Sequence, residues 1–245
     1  MKAMILAAGY GTRLRPLTDF KPKALVEISG MPLLEIVIRK LIGSGVSKII
    51  INMHHFAEQI ITFLRAKKNF GIRIETSFEP VILGTGGGIK NAANFFSDAQ
   101  PFIVHNVDVI SGIDLRAMLD FHHQHQGLAT LAVQKRDTTR YLLFDSAYQL
   151  RGHTNLATGK TTPLAGGDEN LITYAFSGIQ ILSPRILDYM PETGFSSIIE
   201  TYLKCVAENQ TIVGYDMRDA YWTDVGKQHS LLQIEEDIRD GKIRL

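Results

Sequence analysis

Across residues 3–106, short apolar runs of strand length alternate with stretches of helical apolar spacing. That alternation commits the chain to βαβ units and a mostly parallel sheet. The first run, residues 3–7, is continuously apolar and is closed by Ala8 and Gly9, the pattern of a buried parallel strand passing into a loop. After Pro32, the positions Leu33, Leu34, Ile36, Val37, Leu41 and Ile42 keep helical spacing until Gly43-Ser44-Gly45 stops them. A strand over 48–52, a helix over 57–67, a strand over 72–78, a helix from about 88 to 96 and a strand over 102–106 follow. The second half is less regular. It predicts a helix over 115–126, a strand over 129–135, and short strands around 142–144 and 150–153 that read as hairpin material. A strand over 174–182, a helix over 195–208, a strand over 211–215 and a closing amphipathic helix over 227–239 complete it. Residues 154–170, rich in Thr, Gly and Asn, read as a mobile loop near a site or simply as a loop. The expected class is α/β, a Rossmann-like domain with a mixed, mostly parallel central sheet, occupying residues 1–245 as one domain.

Charge excludes some partners. Lys and Arg total 26 against 25 acidic residues, so neither a nucleic acid nor a membrane surface is indicated, and any anion site must be local. The lone Cys205 lies in an apolar-periodic stretch and reads as a core residue in a reducing, cytoplasmic setting. The apolar run at the N-terminus is too short for a signal peptide or a membrane span.

The chemistry gathers in four places. The first is the string from Leu6 through Ala7, Ala8, Gly9, Tyr10, Gly11, Thr12, Arg13, Leu14, Arg15, Pro16 and Leu17 to Thr18, followed by Lys21-Pro22-Lys23-Ala24-Leu25. Glycines at the carboxyl end of a strand let backbone N–H groups approach an anion, and nearby cations supply countercharge. A dinucleotide fingerprint would need glycine where Leu14 stands, and a Walker A loop would need Gly-Lys-Ser/Thr, which this string lacks. From the glycine spacing alone, a Gly-rich turn with two solvated arginines fits equally well. The second place is the run from Glu79 to Ile89, with four glycines between Gly84 and Gly88. It admits either close strand-to-helix packing or a ligand at a helix N-terminus. The third and fourth are His105-Asn106-Val107-Asp108 and Tyr221-Trp222-Thr223-Asp224-Val225-Gly226. Each aspartate could be a simple cap; together they are the one or two carboxylates that Mg²⁺ takes beside substrate phosphates.

The whole first string, with Pro-Lys-Ala-Leu after it, resembles the signature of the sugar-phosphate nucleotidyltransferase family. The resemblance implies an enzyme that joins NMP from an NTP to a sugar 1-phosphate and releases pyrophosphate. It implies that Gly9, Gly11 and Thr12 wrap the triphosphate and that Arg13 and Lys23 neutralise it. By the same resemblance Gly84, Thr85 and Gly86 line the base pocket, Asn106 binds substrate, and Asp108 and Asp224 hold Mg²⁺, with Arg13, Lys23 and Asp108 the catalytic residues. Gly178, in Phe176-Ser177-Gly178-Ile179, leaves room for the sugar ring, and Asn170 contributes. Val107 stands where the family more often has glycine. The Glu-Lys-Pro triplet, whose lysine contacts the sugar phosphate in many hexose-using relatives, is absent.

The short chain, the Thr-Gly-Gly-Gly-Ile string and the Phe-Ser-Gly-Ile segment are most similar to members that transfer UMP to N-acetylmuramate 1-phosphate in cell-wall recycling. Guanylyl or thymidylyl transfer to a hexose 1-phosphate, cytidylyl transfer to phosphocholine, and a noncatalytic sugar-nucleotide sensor are the alternatives. No hexapeptide-type repeat follows the catalytic segments, which sets the chain apart from bifunctional acetyltransferase relatives. His122, His123 and His125 crowd one expected helix and His54-His55 sit at a strand end; His122 and His125 lack a companion carboxylate at helical spacing, and the histidines read as solvated rather than metal-binding.

Overall fold

A computed structural model of the chain describes residues 1–98, 100–163 and 170–245. In chain order the regular elements are β1 (Lys2–Leu6), β2 (Glu27–Ile28), β3 (Met31–Pro32), α1 (Leu33–Gly43), β4 (Lys48–Met53), α2 (Ala57–Ala66), β5 (Arg73–Phe78) and α3 (Gly84–Asn91). They continue with β6 (Phe102–Asn106), β7 (Val109–Ser111), α4 (Leu115–His125), β8 (Ala129–Gln134), β9 (Arg140–Phe144), β10 (Leu150–Asn155) and β11 (Lys160–Pro163). The last are β12 (Ile172–Leu182), α5 (Ile198–Ala207), β13 (Ile212–Asp216), β14 (Trp222–Asp224) and α6 (Gln228–Arg239). The fold is α/β with a mixed central sheet, as the alternation of strand and helix predicts. None of the described helices is long and apolar enough to cross a membrane.

The chain gathers into two compact units. The first comprises Met1–Leu83, Val104–Ile113 and Ala220–Leu245; the second comprises Gly84–Ile103 and Asp114–Asp219. In the first unit the strands lie in the order β6-β1-β4-β5, with β1–β4 and β4–β5 parallel. β1 and β4 are almost wholly buried, which is why they read as continuous apolar runs rather than alternating ones. α1 buries Leu33, Leu34, Ile36, Val37, Ile38 and Leu41, each contributing about 1.5–3 kcal/mol of transfer free energy.

A cluster of Leu14, Val26, Ile28, Leu33, Ile36, Ile110, Val225, Leu231 and Ile234 lies beneath the glycine loop. Leu14 comes from the loop, Ile110 from β7, and Val225 from the residue after β14. The same apolar contact therefore anchors every segment that carries a candidate catalytic side chain.

In the second unit, strands run β11-β10-β9-β12, with β8 antiparallel to β12 and β13 parallel to β8. β12 bears a register shift between Phe176 and Gln180. The segment expected to be a mobile loop contains the β10–β11 hairpin, with Thr154 opposite Thr161 and Asn155 opposite Lys160. Its threonines satisfy one another across the ladder, Thr154 Oγ1 to Thr161 Oγ1 at 2.8 Å. That corrects the loop expectation for residues 154–163; residues 164–169 lie outside the described residues.

Two helix boundaries also differ from expectation. α3 starts at Gly84 rather than near Gly88, and α5 starts at Ile198 rather than near 195. The second follows from a capping box: Ser197 Oγ accepts from Ile199 N at 3.3 Å, while Ser197 N donates to Glu200 Oε2 at 3.4 Å.

Candidate active site

The glycine loop leaves β1 and folds back on itself. Gly11 has φ +66°, and a Cβ there would come within 2.9 Å of Lys23 Cβ and 3.0 Å of Thr18 Cγ2. Only glycine suits that backbone and that space. The Thr18 hydroxyl donates to the Gly11 carbonyl at 2.9 Å, and Leu14 N donates to the same oxygen at 2.9 Å. A single 3₁₀ turn, Thr12–Leu14, follows, with Leu14 buried and Arg13 exposed. The turn thus fixes the backbone while leaving the Arg13 guanidinium available for charge.

Lys23 reaches the loop from a second 3₁₀ turn, Lys23–Leu25, and is only 9% exposed. Its ammonium is hydrogen-bonded and ion-paired to Asp108 Oδ2.

Asp108 and Asp224 are 116 residues apart in sequence, yet the small antiparallel ladder β7–β14 brings them together. Asp224 is paired with Val109, Trp222 with Ser111, and Val225 N donates to the Asp108 carbonyl at 2.8 Å. Arg13 belongs to the same group. A Cβ on Gly226 would lie 3.0 Å from Asp224 Oδ1 and 3.2 Å from Arg13 Nη2, so this glycine makes room for both. Among the described residues no three or more His, Cys, Asp or Glu side chains form a metal cage. Two carboxylates, one at the end of β14 and one on the residue before β7, offer oxygen donors only, a set of the kind that takes Mg²⁺ with substrate oxygens completing its shell. Val107 donates from its N to the Leu6 carbonyl at 3.1 Å and is absent from the residues with positive φ, so the valine fits where the resemblance leads one to expect glycine.

Sequence reasoning missed a buried network behind this loop. Glu79 is fully buried; Asn52 Nδ2 donates to its Oε1 at 2.7 Å and Leu83 N donates to its Oε2 at 2.9 Å. Asn52 Oδ1 accepts from Ala7 N at 2.7 Å. The carboxamide and carboxylate thus bind the ends of β1 and β4 to the segment after β5, where parallel strands leave backbone groups unpaired. His54 Nδ1 donates to the Glu79 carbonyl at 2.7 Å, which leaves Nε2 to accept from the Tyr10 hydroxyl at 3.1 Å. His54 is therefore not simply solvated. A polar pair in otherwise apolar strand ends, Asn52 and Glu79, was the signal that could have found the network.

With this geometry in view, comparison with known proteins is decisive. The profile of the nucleotidyl transferase family matches residues 2–241. The chain belongs to the nucleotidyl transferase family. It is 32% identical over 235 residues to a mannose-1-phosphate guanyltransferase of Kluyveromyces lactis, a match covering 95% of this chain and 63% of that one. It is 30% identical over 264 residues to a UTP–glucose-1-phosphate uridylyltransferase of Synechocystis, covering 100% of this chain and 65% of the other. The chain thus spans somewhat under two thirds of the length of these curated relatives. Among solved structures it is similar to HddC from Yersinia pseudotuberculosis, with TM-score 0.76, 25% identity, and coverage of 97% of this chain and 99% of that one. It shares the fold of the inositol-1-phosphate CTP transferase from T. maritima, at TM-score 0.75 and 15% identity, covering 98% and 96% of the two chains.

Of the remaining predicted site residues, Gly84, Thr85, Gly86, Asn170 and Gly178 belong to the second unit and Asn106 to the first. Gly84, at φ +73°, could not carry a Cβ, which would meet the Ser196 carbonyl oxygen at 2.6 Å; a Cβ on Gly86 would meet Ser196 Oγ at 2.7 Å. Gly86 N and Gly87 N both donate to the Ser196 carbonyl, at 2.9 and 3.4 Å, and Thr85 Oγ1 accepts from Ile198 N at 3.0 Å. Close packing of α3 on the start of α5 accounts for these glycines, and the Thr85 hydroxyl is already engaged there. Gly178, also at positive φ (+73°), sits buried in the register shift of β12. Asn106 ends β6 three residues before Val109 opens β7, and its carbonyl accepts from His105 Nδ1 at 2.8 Å. Asn170 is exposed just before β12. His122, expected to be solvated, is buried, with Nδ1 2.9 Å from Thr130 Oγ1.

Proposed function

We propose that the chain transfers a nucleoside monophosphate from an NTP to a sugar 1-phosphate and releases pyrophosphate. The observation that carries this reading is the β7–β14 ladder. It sets Asp224 opposite Val109, next in sequence to Asp108, whose carboxylate pairs with Lys23, while the Arg13 guanidinium and the Asp224 carboxylate both border Gly226. The acceptor phosphate oxygen is already anionic near neutral pH, so no protein nucleophile or general base is required. It attacks the α-phosphorus, the bond from the α-phosphorus to the bridging oxygen breaks, and that oxygen leaves on pyrophosphate. What remains for the chain is positioning and charge compensation. Arg13 and Lys23 offset the negative charge on the triphosphate and on the departing pyrophosphate. Asp108 and Asp224 would hold Mg²⁺, which when bound supplies further neutralisation at the α-phosphate.

The pairing we favour is UTP with N-acetylmuramate 1-phosphate, in the cytoplasm. Its support is the string Thr85-Gly86-Gly87-Gly88-Ile89, the segment Phe176-Ser177-Gly178-Ile179 and the missing Glu-Lys-Pro triplet. A second pairing, guanylyl transfer to a hexose 1-phosphate, is favoured by the guanyltransferase relatives and by the HddC structure solved with GMP-PN.

The test is pyrophosphate release across UTP, GTP, CTP and dTTP, each with N-acetylmuramate 1-phosphate, mannose 1-phosphate, glucose 1-phosphate and phosphocholine. Release with UTP and N-acetylmuramate 1-phosphate, abolished by chelation and restored by Mg²⁺, is the expected result. Turnover of a hexose 1-phosphate with GTP alone would replace the favoured pairing. Silence throughout, from folded protein that binds the NTPs, would favour the sensor reading.

A further inference from the structure

Polar groups of the first unit close a ring of hydrogen bonds around the start of the glycine loop. Ala7 N donates to Asn52 Oδ1 at 2.7 Å, and Asn52 Nδ2 donates to Glu79 Oε1 at 2.7 Å. His54 Nδ1 donates to the Glu79 carbonyl at 2.7 Å, and the Tyr10 hydroxyl returns the ring to the loop by donating to His54 Nε2 at 3.1 Å. Every member lies within Met1–Leu83. The tautomer of His54 follows from its partners: a carbonyl can only accept, so Nδ1 carries the proton and Nε2 is left to accept from tyrosine. Glu79 is the fixed post of the ring, fully buried, with its second carboxylate oxygen accepting from Leu83 N at 2.9 Å. The Tyr10 ring is steadied as well, in edge contact with His54 and His55 at 5.3 and 5.8 Å between ring centres.

The ring enters the loop at Ala7 and leaves it at Tyr10, so it spans Ala8 and Gly9. Beyond Tyr10 the turn has its own anchor, the Gly11 carbonyl that accepts from Thr18 Oγ1 and Leu14 N. Without the tyrosine bond, the glycines on either side of Tyr10 would let this stretch sample many conformations, and a ligand would have to order it on binding. A Cβ on Gly9 would meet nothing within 4 Å, and Gly9 is absent from the glycines with positive φ, so neither crowding nor backbone demands glycine there. The ring therefore holds the loop from one side and leaves Gly9 open. Tyr10 is itself 51% exposed, and a hydrogen bond from so exposed a hydroxyl adds little to fold stability; what it restricts is the conformation of the loop. We propose that this ring presets the glycine loop for the triphosphate, with His54 as a positioning residue that acts through Tyr10. The proposal rests on the NTP reading above.

The experiment compares wild type with Tyr10→Phe, His54→Asn and the double variant. Phenylalanine keeps the ring and removes the hydroxyl; asparagine keeps a donor for the Glu79 carbonyl and falls short of Tyr10. Steady-state turnover is measured against UTP, or against GTP should that pairing prove the active one, at saturating acceptor. The expected result is a rise in KM for the NTP of ~5-fold in each single variant, with kcat, the KM for the acceptor and the thermal midpoint unchanged. The double variant should show the same ~5-fold rise rather than ~25-fold, because both changes break one bond. An unchanged KM, rises that multiply in the double variant, or a fall in kcat and thermal midpoint in Tyr10→Phe each overturns the proposal.

Backbone order parameters of the ligand-free protein, from nitrogen-15 relaxation, separate this inference from the function it rests on. At Gly9, Tyr10 and Gly11 they should fall from about 0.85 in wild type to below about 0.6 in Tyr10→Phe, with those of β1 unchanged. That fall, in a chain that turns over no NTP, sustains the ring while the transferase reading fails. Order parameters unchanged in Tyr10→Phe, in protein that turns over an NTP, sink the ring and leave the transferase reading standing.

Discussion

At the scale of single residues, Asp224 and Gly11 offer the cleanest tests. Asp224 is exposed, so its replacement disturbs little packing. Asp224→Asn is expected to cut turnover by ~100-fold or more while leaving the thermal midpoint close to wild type; near-normal turnover at saturating Mg²⁺ would remove the carboxylate from the mechanism. Asp108 is less clean, because it is also the partner of buried Lys23, and Asp108→Asn should lower stability along with activity. Gly11→Ala strains a backbone at φ +66° and drives a methyl against Lys23 and Thr18. A loss of about 1–3 kcal/mol in denaturant unfolding is expected, with a larger proportional loss in NTP affinity because Lys23 is displaced. A variant with unchanged stability and affinity would show that the loop tolerates a side chain there.

At the scale of elements, α3 is a helix built against propensity. Four of its eight residues are glycine, each about 1 kcal/mol worse than alanine in an isolated helix. The helix forms because the glycines let its first turn meet the Ser196 carbonyl, which accepts from both Gly86 N and Gly87 N and so satisfies donors that a helix start leaves open. Replacing Gly84 by alanine should therefore destabilise the protein, by about 2 kcal/mol or more, although alanine is the better helix former. Thr85→Ala removes the acceptor for Ile198 N, and a loss of about 1 kcal/mol is expected. Chemical unfolding of both variants decides; a stabilised Gly84→Ala would show that propensity outweighs the contact with Ser196.

At the scale of the whole molecule, buried histidines set the response to acid. Burial pushes both His105 and His122 down to about 4, assisted by the positive charge of Lys40 near the first and by His123 near the second. In the unfolded chain they titrate near ~6.5. Between these values the unfolded state binds more protons than the folded state, so stability falls as pH drops from ~6.5 toward ~4, by up to about 3 kcal/mol for each histidine. His122→Gln should flatten that fall, measured as unfolding free energy at pH 7, 6 and 5. An unchanged slope would show that another group carries the acid response. Cys205, whose thiol burial pushes up to about 12, is expected to resist alkylation in the native state.

What the sequence determined by itself was whatever depends on local period and local chemistry. The buried strands β1, β4 and β6 and the helices α1, α2, α4 and α6 were legible within a few residues, because apolar spacing and glycine stops encode them directly. The glycine loop was legible as a turn closing a buried strand, since its residues are contiguous. Tertiary structure alone decided the rest. β7 and β14 are three residues each, too short to announce themselves by period, and they exist because each supplies the other's hydrogen bonds between distant segments of the sequence. The glycines of α3 could be read as packing or as binding, and the packing of Ser196 against Gly84 and Gly86 shows only in the folded chain. Asn52 and Glu79 stood in unrelated segments, and only parallel pairing of β1, β4 and β5 made them partners. Contacts between distant segments leave no periodic trace in either segment, so their pairing becomes visible only when the chain is folded.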